Sequence, residues 1–231
     1  MDAELGLRER KKLRTRRLLT QTAVRLVTER GFDAVPVAAV ARAAEVSEAT
    51  VFNYFPTKED LVYQGMEAFE AELLAGVRDR PPGESIVAAF GRFVLAPRGF
   101  LAAPDEDSAR YLIAVSQMIA DSPALQARER EILARYTGSL AALIAEDTAA
   151  DPDDLRPLVT ARALIGTHQS LIEFVRHHLA SGPVDHIELA RQVWARGREA
   201  LDLLEQGLAG YGAGDAPGEG GGGDQWPGRD I

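Results

Sequence analysis

Between Pro36 and Pro56 the chain reads VAAVARAAEVSEATVFNYF. In the first half Val37, Val40, Ala41 and Ala44 recur at helical spacing. Pro36 offers this helix no side-chain cap. Ser47 then supplies the oxygen that opens another helix, and Pro56 forbids that helix to continue past Tyr54 and Phe55. Each segment is about two turns long, and isolated helices under ~12 residues are marginal in water. The two therefore keep their shape only by packing on each other across the tight connection at Glu45 and Val46. Two short helices crossing through a turn form the helix-turn-helix arrangement, here at about 37–54.

The flanks supply what such a pair must pack against. RRLLTQTAVRLVTERGF places Leu19, Ala23, Leu26 and Val27 on one stripe, with Gly31 as a left-handed cap and Phe32 folding back. On the other side Thr57 and Asp60 have capping-box spacing, which predicts a fourth helix starting near Lys58 and carrying Val62, Met66, Phe69 and Leu73. Beyond the PPGES turn, helical periodicity predicts spans at about 84–96, 105–120, 123–147, 153–180 and 184–206. They are separated by ProArgGly at 97–99, Ser122-Pro123, Asp151-Pro152 and Ser181-Gly182-Pro183. No segment has strand periodicity, so the fold class is all-α. From Gly207 onward ten of 25 residues are glycine, and such a tail reads as disordered.

Charge is unevenly distributed along the chain. Residues 1–30 hold nine basic and four acidic side chains, a balance of +5 within a molecule of net charge -9. An acidic body thus bears a basic end, which by charge alone suits equally a solvated arm with no partner and a polyanion such as DNA. The third helix agrees: with Val46, Val51 and Phe55 inside, Ala49, Thr50, Asn53 and Tyr54 share the opposite face. Asn pairs bidentately with an adenine edge, Thr bonds base or phosphate, and Ala touches a thymine methyl. Tyr54 and Lys58 are placed for phosphates. Glu48 suits the helix dipole or accepts from a cytosine amino group.

The same stretches, RLVTERGFDAV, VAAVARAAEVSEATVFNYF and PTKEDL, resemble the DNA-binding domain of the TetR (tetracycline repressor) family over roughly residues 18–64. The resemblance implies an all-helical homodimer that binds a double-stranded DNA operator, with a small-molecule effector pocket in its second domain; usually the ligand releases such a repressor from DNA. It also implies DNA contacts from Ser47, Glu48, Ala49, Thr50, Phe52, Asn53, Tyr54 and Lys58. Three positions depart from the pattern. Pro36 stands for the usual Thr or Ser, Phe52 for the usual Tyr, and Glu45 for the usual turn Gly, which calls for a strain-free turn or a left-handed non-glycine residue.

The expected domains are a flexible start at 1–7, a DNA-binding domain at 8–74, a ligand-binding and dimerisation domain at 75–206, and the tail at 207–231. Aromatic stripes with neighbouring polar groups nominate Phe90, Arg110, Tyr111, Gln117, Met118, Tyr136, His168 and Glu173 as pocket residues. The broad apolar faces of the last two helices nominate Leu171, Val175, Val193, Trp194, Gly197 and Leu201 for the dimer interface.

Enzymatic readings find no support. Cysteine is absent, which excludes disulfides, thiolate metal sites and a cysteine nucleophile. No lysine follows glycine, so there is no Walker loop, and the four histidines form no HExxH pattern. No metal or cofactor is expected. The chain lacks an apolar run of membrane-spanning length, and its start lacks a signal-peptide core, so a cytoplasmic location is expected. The competing reading is a small-molecule-binding or scaffold protein whose altered first domain no longer binds DNA.

Overall fold

A computed structural model of the chain describes residues 6–63, 65–96, 106–182 and 184–207. Its regular structure there is helical throughout: α1 (Leu7–Arg30), α2 (Val37–Ala43), α3 (Glu48–Tyr54), a 3-10 turn (Glu59–Leu61), α4 (Met66–Arg78), α5 (Ile86–Val94), α6 (Glu106–Asp121), α7 (Pro123–Asp147), α8 (Arg156–Ala180) and α9 (His186–Gly207). No described helix is long and apolar enough to cross a membrane. The residues expected as a tail, apart from Gly207, and the expected break at 97–99 lie outside the described residues.

Side-chain acceptors open four of the described helices. Ser47, Ser85 and Ser122 each accept the amide three residues on, at 3.1, 3.0 and 3.4 Å, opening α3, α5 and α7. Asp185 accepts from the amides of Ile187 and Glu188 at the head of α9. At α8 no side chain caps the first turn, although Asp154 accepts the Arg156 amide at 2.9 Å.

Three sequence expectations need correction. The basic residues from Arg8 to Arg17 belong to α1, which begins nine residues before the expected stretch, because Arg and Lys are good helix formers with nothing there to break the helix. Gly31 does have positive φ, 82°, but its ψ of 150° is an extended region open essentially to glycine alone, not the left-handed helical cap. The fourth helix does not start near Lys58. Thr57 and Asp60 do exchange their reciprocal hydrogen bonds, at 3.0 and 3.3 Å, yet the box opens only the 3-10 turn. Gly65, at φ 85° and ψ -8°, then reverses the handedness, and α4 begins at Met66.

Among the described residues, apolar side chains gather into three clusters. The first joins α1, α2 and α3 through Leu19, Leu26, Phe32, Val40, Val51 and Phe55, and it also takes in Met118 and Ile119 from α6 and Leu125 from α7. The second packs α4, α5, α7, α8 and α9 around Phe90, Tyr136, Leu140 and Leu164. The third, around Ala109, Leu179, Leu189 and Val193, closes α6 against the ends of α8 and α9. The α6–α7 corner thus sits within the N-terminal core. Polar links reinforce it: Arg128 donates from Nε and Nη2 to Asp60 Oδ1 at 3.0 and 2.8 Å, and the Tyr63 hydroxyl donates to the Leu125 carbonyl at 2.8 Å.

Candidate nucleic-acid interface and internal cavity

α3 is pinned from below and open above. Val51 and Phe55 are each 1% exposed and fix the helix in the N-terminal core. Ser47 caps it, and the Ser47 and Thr50 hydroxyls lie 2.8 Å apart in a shared hydrogen bond, which orients Thr50 along the first turn. Ser47, Glu48, Ala49, Phe52 and Asn53 are exposed, while Thr50 and Tyr54 are half-buried at the margin. The open face therefore offers an amide, a methyl, a carboxylate and an aromatic ring, Phe52 being 47% exposed. α1 runs alongside, since the Arg16 guanidinium lies 4.9 Å from the centre of the Phe55 ring. Its basic side chains Arg8, Arg10, Lys11, Lys12 and Arg14 are exposed on the same extension.

Two positions differ from, or sharpen, expectation. Lys58 turns inward: Nζ donates to the Phe32 carbonyl at 2.6 Å and lies 4.2 Å from the centre of the Phe32 ring. It ties the 3-10 turn to the end of α1 and is not extended toward a phosphate, because the helix start that would have aimed it outward does not exist. In the turn between α2 and α3, Glu45 adopts φ 56°, so of the two alternatives, a strain-free turn or a left-handed non-glycine residue, the chain takes the second.

Above the N-terminal core lies a cavity of about 430 Å³. The segment just after the 3-10 turn supplies Val62 and Tyr63, α4 supplies Met66 and Phe69, α6 supplies Tyr111, Val115 and Ile119, α7 supplies Glu129, Ile132 and Tyr136, and α8 supplies His168, Glu173 and Arg176. The walls are mostly apolar, aliphatic side chains interspersed with the rings of Tyr63, Phe69, Tyr111, Tyr136 and His168. Phe69 stacks on Tyr136 with centroids 5.9 Å apart and on His168 at 5.2 Å, and it meets Phe93 edge-on at 5.3 Å. The Tyr136 hydroxyl donates to the Met66 carbonyl at 2.5 Å. Burial pushes the hydroxyl pKa values of Tyr63 and Tyr136 up, so both remain neutral donors. Burial pushes the His168 imidazole the other way, from 6.5 down to about 4, so it is neutral at physiological pH. Arg176 and Glu129 face each other as a two-pronged ion pair at 2.6 and 3.2 Å.

Of the eight pocket nominations, Tyr111, Tyr136, His168 and Glu173 line this cavity. The other four lie elsewhere. Phe90 is fully buried in the second cluster, and Met118 belongs to the N-terminal core because the last turn of α6 descends into it. Gln117 is exposed, and Arg110 lines a separate cleft with Leu179 and His186. Tyr63, Phe69, Glu129 and Arg176 were missed as pocket residues. Phe69 reads in sequence as one more member of an apolar stripe, and the Glu129–Arg176 pair joins residues 47 apart that no local pattern connects.

The interface nominations fare differently again. Val193, Gly197 and Leu201 are buried within the same chain, and Leu171 and Val175 line the cavity. A Cβ on Gly197 would collide with Leu95 and lie 3.2 Å from Leu171, so this glycine permits close approach of helices inside the protomer. Trp194 is 53% exposed, on the side of α9 that faces α5. A separate groove between α8 and α9 is lined by Ala163, Gly166, Thr167, Ser170, Leu171, Phe174, Arg196 and Ala200, and Val159 and Leu203 on the same two helices are exposed.

Comparison with known proteins gives matches over both halves. Residues 19–64 match the family model of bacterial regulatory proteins of the tetR family, and residues 98–209 match that of the MftR C-terminal domain. The HTH-type transcriptional regulator TcmR of Streptomyces glaucescens is 31% identical over 156 residues, covering 66% of this chain and 69% of that protein. Among solved structures, NalD, described as the secondary repressor of the MexAB-OprM multidrug efflux pump in Pseudomonas aeruginosa, shares the fold at TM-score 0.51 and 18% identity, over 81% of this chain and 96% of its own. A transcriptional regulator from Pseudomonas aeruginosa PAO1 shares it at 0.50 and 18%, over 89% and 95%.

Proposed function

The chain belongs to the tetR family of bacterial regulatory proteins, transcriptional regulators with a helix-turn-helix DNA-binding domain, and on that premise we propose that it is a cytoplasmic repressor whose dimer leaves a near-palindromic operator when a small molecule fills the cavity. The observation that carries the DNA half is the face of α3, where Asn53 stands exposed between Ala49 and Phe52 on a helix rigidly seated by Val51 and Phe55. Asn53 reads a base edge, Ala49 and Phe52 meet apolar base or sugar surface, and Ser47, Thr50 and Tyr54 hold the sugar-phosphate margin. Glu48 serves the dipole of α3. The exposed cations of α1 add phosphate contacts, and Lys58 positions the turn behind them.

The dimer forms through α8 and α9, along the groove between them. Small residues at 163, 166, 170 and 200 let two such pairs approach closely, with Val159 and Leu203 covered by the partner. Two copies of α3 then face half-sites about one helical turn, ~34 Å, or somewhat more apart.

Release follows from the shared corner. Ile119, Val62 and Tyr63 line the cavity and also belong to, or pack on, the N-terminal core. A ligand that spreads α6 from the 3-10 turn therefore moves the reading unit directly. A hundredfold loss of DNA affinity requires a coupling of about 2.7 kcal/mol, and DNA must weaken ligand binding by the same factor.

Fluorescence anisotropy with the chain's own promoter region tests the reading. Specific binding that tightens steeply as salt falls is expected, and Asn53→Ala should flatten discrimination among operator variants while leaving nonspecific affinity in place. Unchanged discrimination in Asn53→Ala would remove that residue from base reading. Absence of any specific binding would favour the small-molecule-binding alternative.

A further inference from the structure

The cavity walls carry more information than the presence of a pocket. Phe69 stacks against both Tyr136 and His168, with interplanar angles of 23° and 19°, so three rings that line the cavity lie in near-parallel planes. A flat ring system can extend such a stack, since aromatic rings favour the offset-stacked arrangement. The imidazole of His168 has no hydrogen-bond partner among the described residues, whereas the Tyr63 and Tyr136 hydroxyls are both taken by backbone carbonyls. A polar ring lining the cavity gains when the molecule that fills the cavity bonds it, and a neutral imidazole presents one donor and one acceptor. Charge points the same way. Among the described residues the cavity sets the carboxylates of Glu129 and Glu173 against one guanidinium, that of Arg176, so a carboxylate ligand meets a net negative lining there.

We infer that the effector is an uncharged, flat aromatic molecule whose phenolic hydroxyl or ring carbonyl hydrogen-bonds the imidazole of His168. This rests on the effector reading of the cavity and narrows it to a ligand class. The hydrogen bond gives His168 a specificity role: a phenol donates to the bare ring nitrogen, or a carbonyl accepts from the protonated one. Unsubstituted hydrocarbons gain only the stacking, and saturated chains gain neither.

Matched probes separate these contributions. Calorimetry on the full chain with 2-naphthol, naphthalene, 2-naphthoate and decanol should rank 2-naphthol first, about fivefold to tenfold tighter than naphthalene, with 2-naphthoate weakest among the aromatics. His168→Phe keeps a ring on Phe69 and should erase the advantage of 2-naphthol while leaving naphthalene affinity within twofold. Equal affinity for 2-naphthol and naphthalene in the unmodified protein would overturn the inference without any variant, as would tightest binding of decanol or 2-naphthoate. Operator anisotropy in the same titrations reports separately on the function. Decanol that releases DNA would refute the ligand class and retain the effector cavity. Conversely, 2-naphthol that binds through His168 and leaves operator affinity unchanged would retain the ligand class and refute the effector reading.

Discussion

Replacing Glu45 by glycine should stabilise the protein even though it deletes a side chain. Glu45 holds φ 56° in the turn between α2 and α3, and left-handed backbone costs a residue with a Cβ about 1–2 kcal/mol. Glycine removes that cost but enlarges the entropy of the unfolded chain, which takes back about 0.5–1 kcal/mol. The exposed carboxylate makes no hydrogen bond or ion pair among the described residues, so nothing else is lost in the folded state. The net gain is about 0.5–1 kcal/mol, or a rise in melting midpoint of about 1–4 °C for a chain of this size. Glu45→Ala is the control, since it discards the same charge yet keeps a Cβ in the strained conformation, and it should stay within about 0.5 kcal/mol of the starting protein. Urea and thermal unfolding of the three proteins give the comparison. Coincident stability of the glycine and alanine variants would refute the argument, because the turn would then carry no left-handed strain at this position.

Exchanging Lys11 and Lys12 for Gln should reduce the slope of log affinity against log salt by about 1.8, provided both reach phosphate; an unchanged slope would place α1's extension away from the duplex. Gly197→Ala should destabilise the chain by about 1–3 kcal/mol through its collision with Leu95, while sedimentation still reports the same oligomeric state; selective loss of assembly would return this glycine to the subunit interface. His168 makes stability depend on acid. Its folded-state value, about 4, lies below the ordinary 6.5, so the unfolded chain takes up the proton first, and stability that is whole above pH 6.5 falls progressively toward pH 4, by up to about 3 kcal/mol. Unfolding curves of His168→Phe across that window should lack this component, and an identical pH dependence in the two proteins would count against a buried neutral imidazole.

How far the sequence could be read depended on the range of the interactions involved. Helix starts at Ser47, Ser85 and Ser122 rest on hydrogen bonds spanning three residues, and the spacing alone suffices to place α3, α5 and α7. The short motif around α3 is legible for the same reason, down to the strained Glu45. The fourth helix misled because Thr57 and Asp60 do form a box, and nothing local says that the following turn must stop at Gly65. The pocket was half legible. Tyr111, Tyr136 and His168 stand out as ring-bearing positions, whereas the contribution of Tyr63 and the pairing of Glu129 with Arg176 depend on how α7 and α8 lie against the 3-10 turn. Apolar faces on α8 and α9 were equally ambiguous, because Val193 and Leu201 look the same in sequence whether a neighbouring helix or a second subunit covers them.

The seating of Met118, Ile119 and Leu125 among the residues of α1, α2 and α3 bears on how such a protein can be cut and recombined. A fragment ending at Arg78 would carry the whole reading motif but would lack the plug that fills its upper side, leaving Val62, Leu61 and Phe32 partly facing water. Such a fragment should unfold at lower denaturant with reduced cooperativity, and it should regain its order when a peptide spanning α6 and the first turns of α7 is supplied. Chimeras that attach this reading unit to another sensor body would succeed at a seam drawn around that corner, with residues 115–128 travelling alongside the N-terminal segment. The unit that is inherited intact is then a discontinuous one, and a single crossover near residue 80 would divide it.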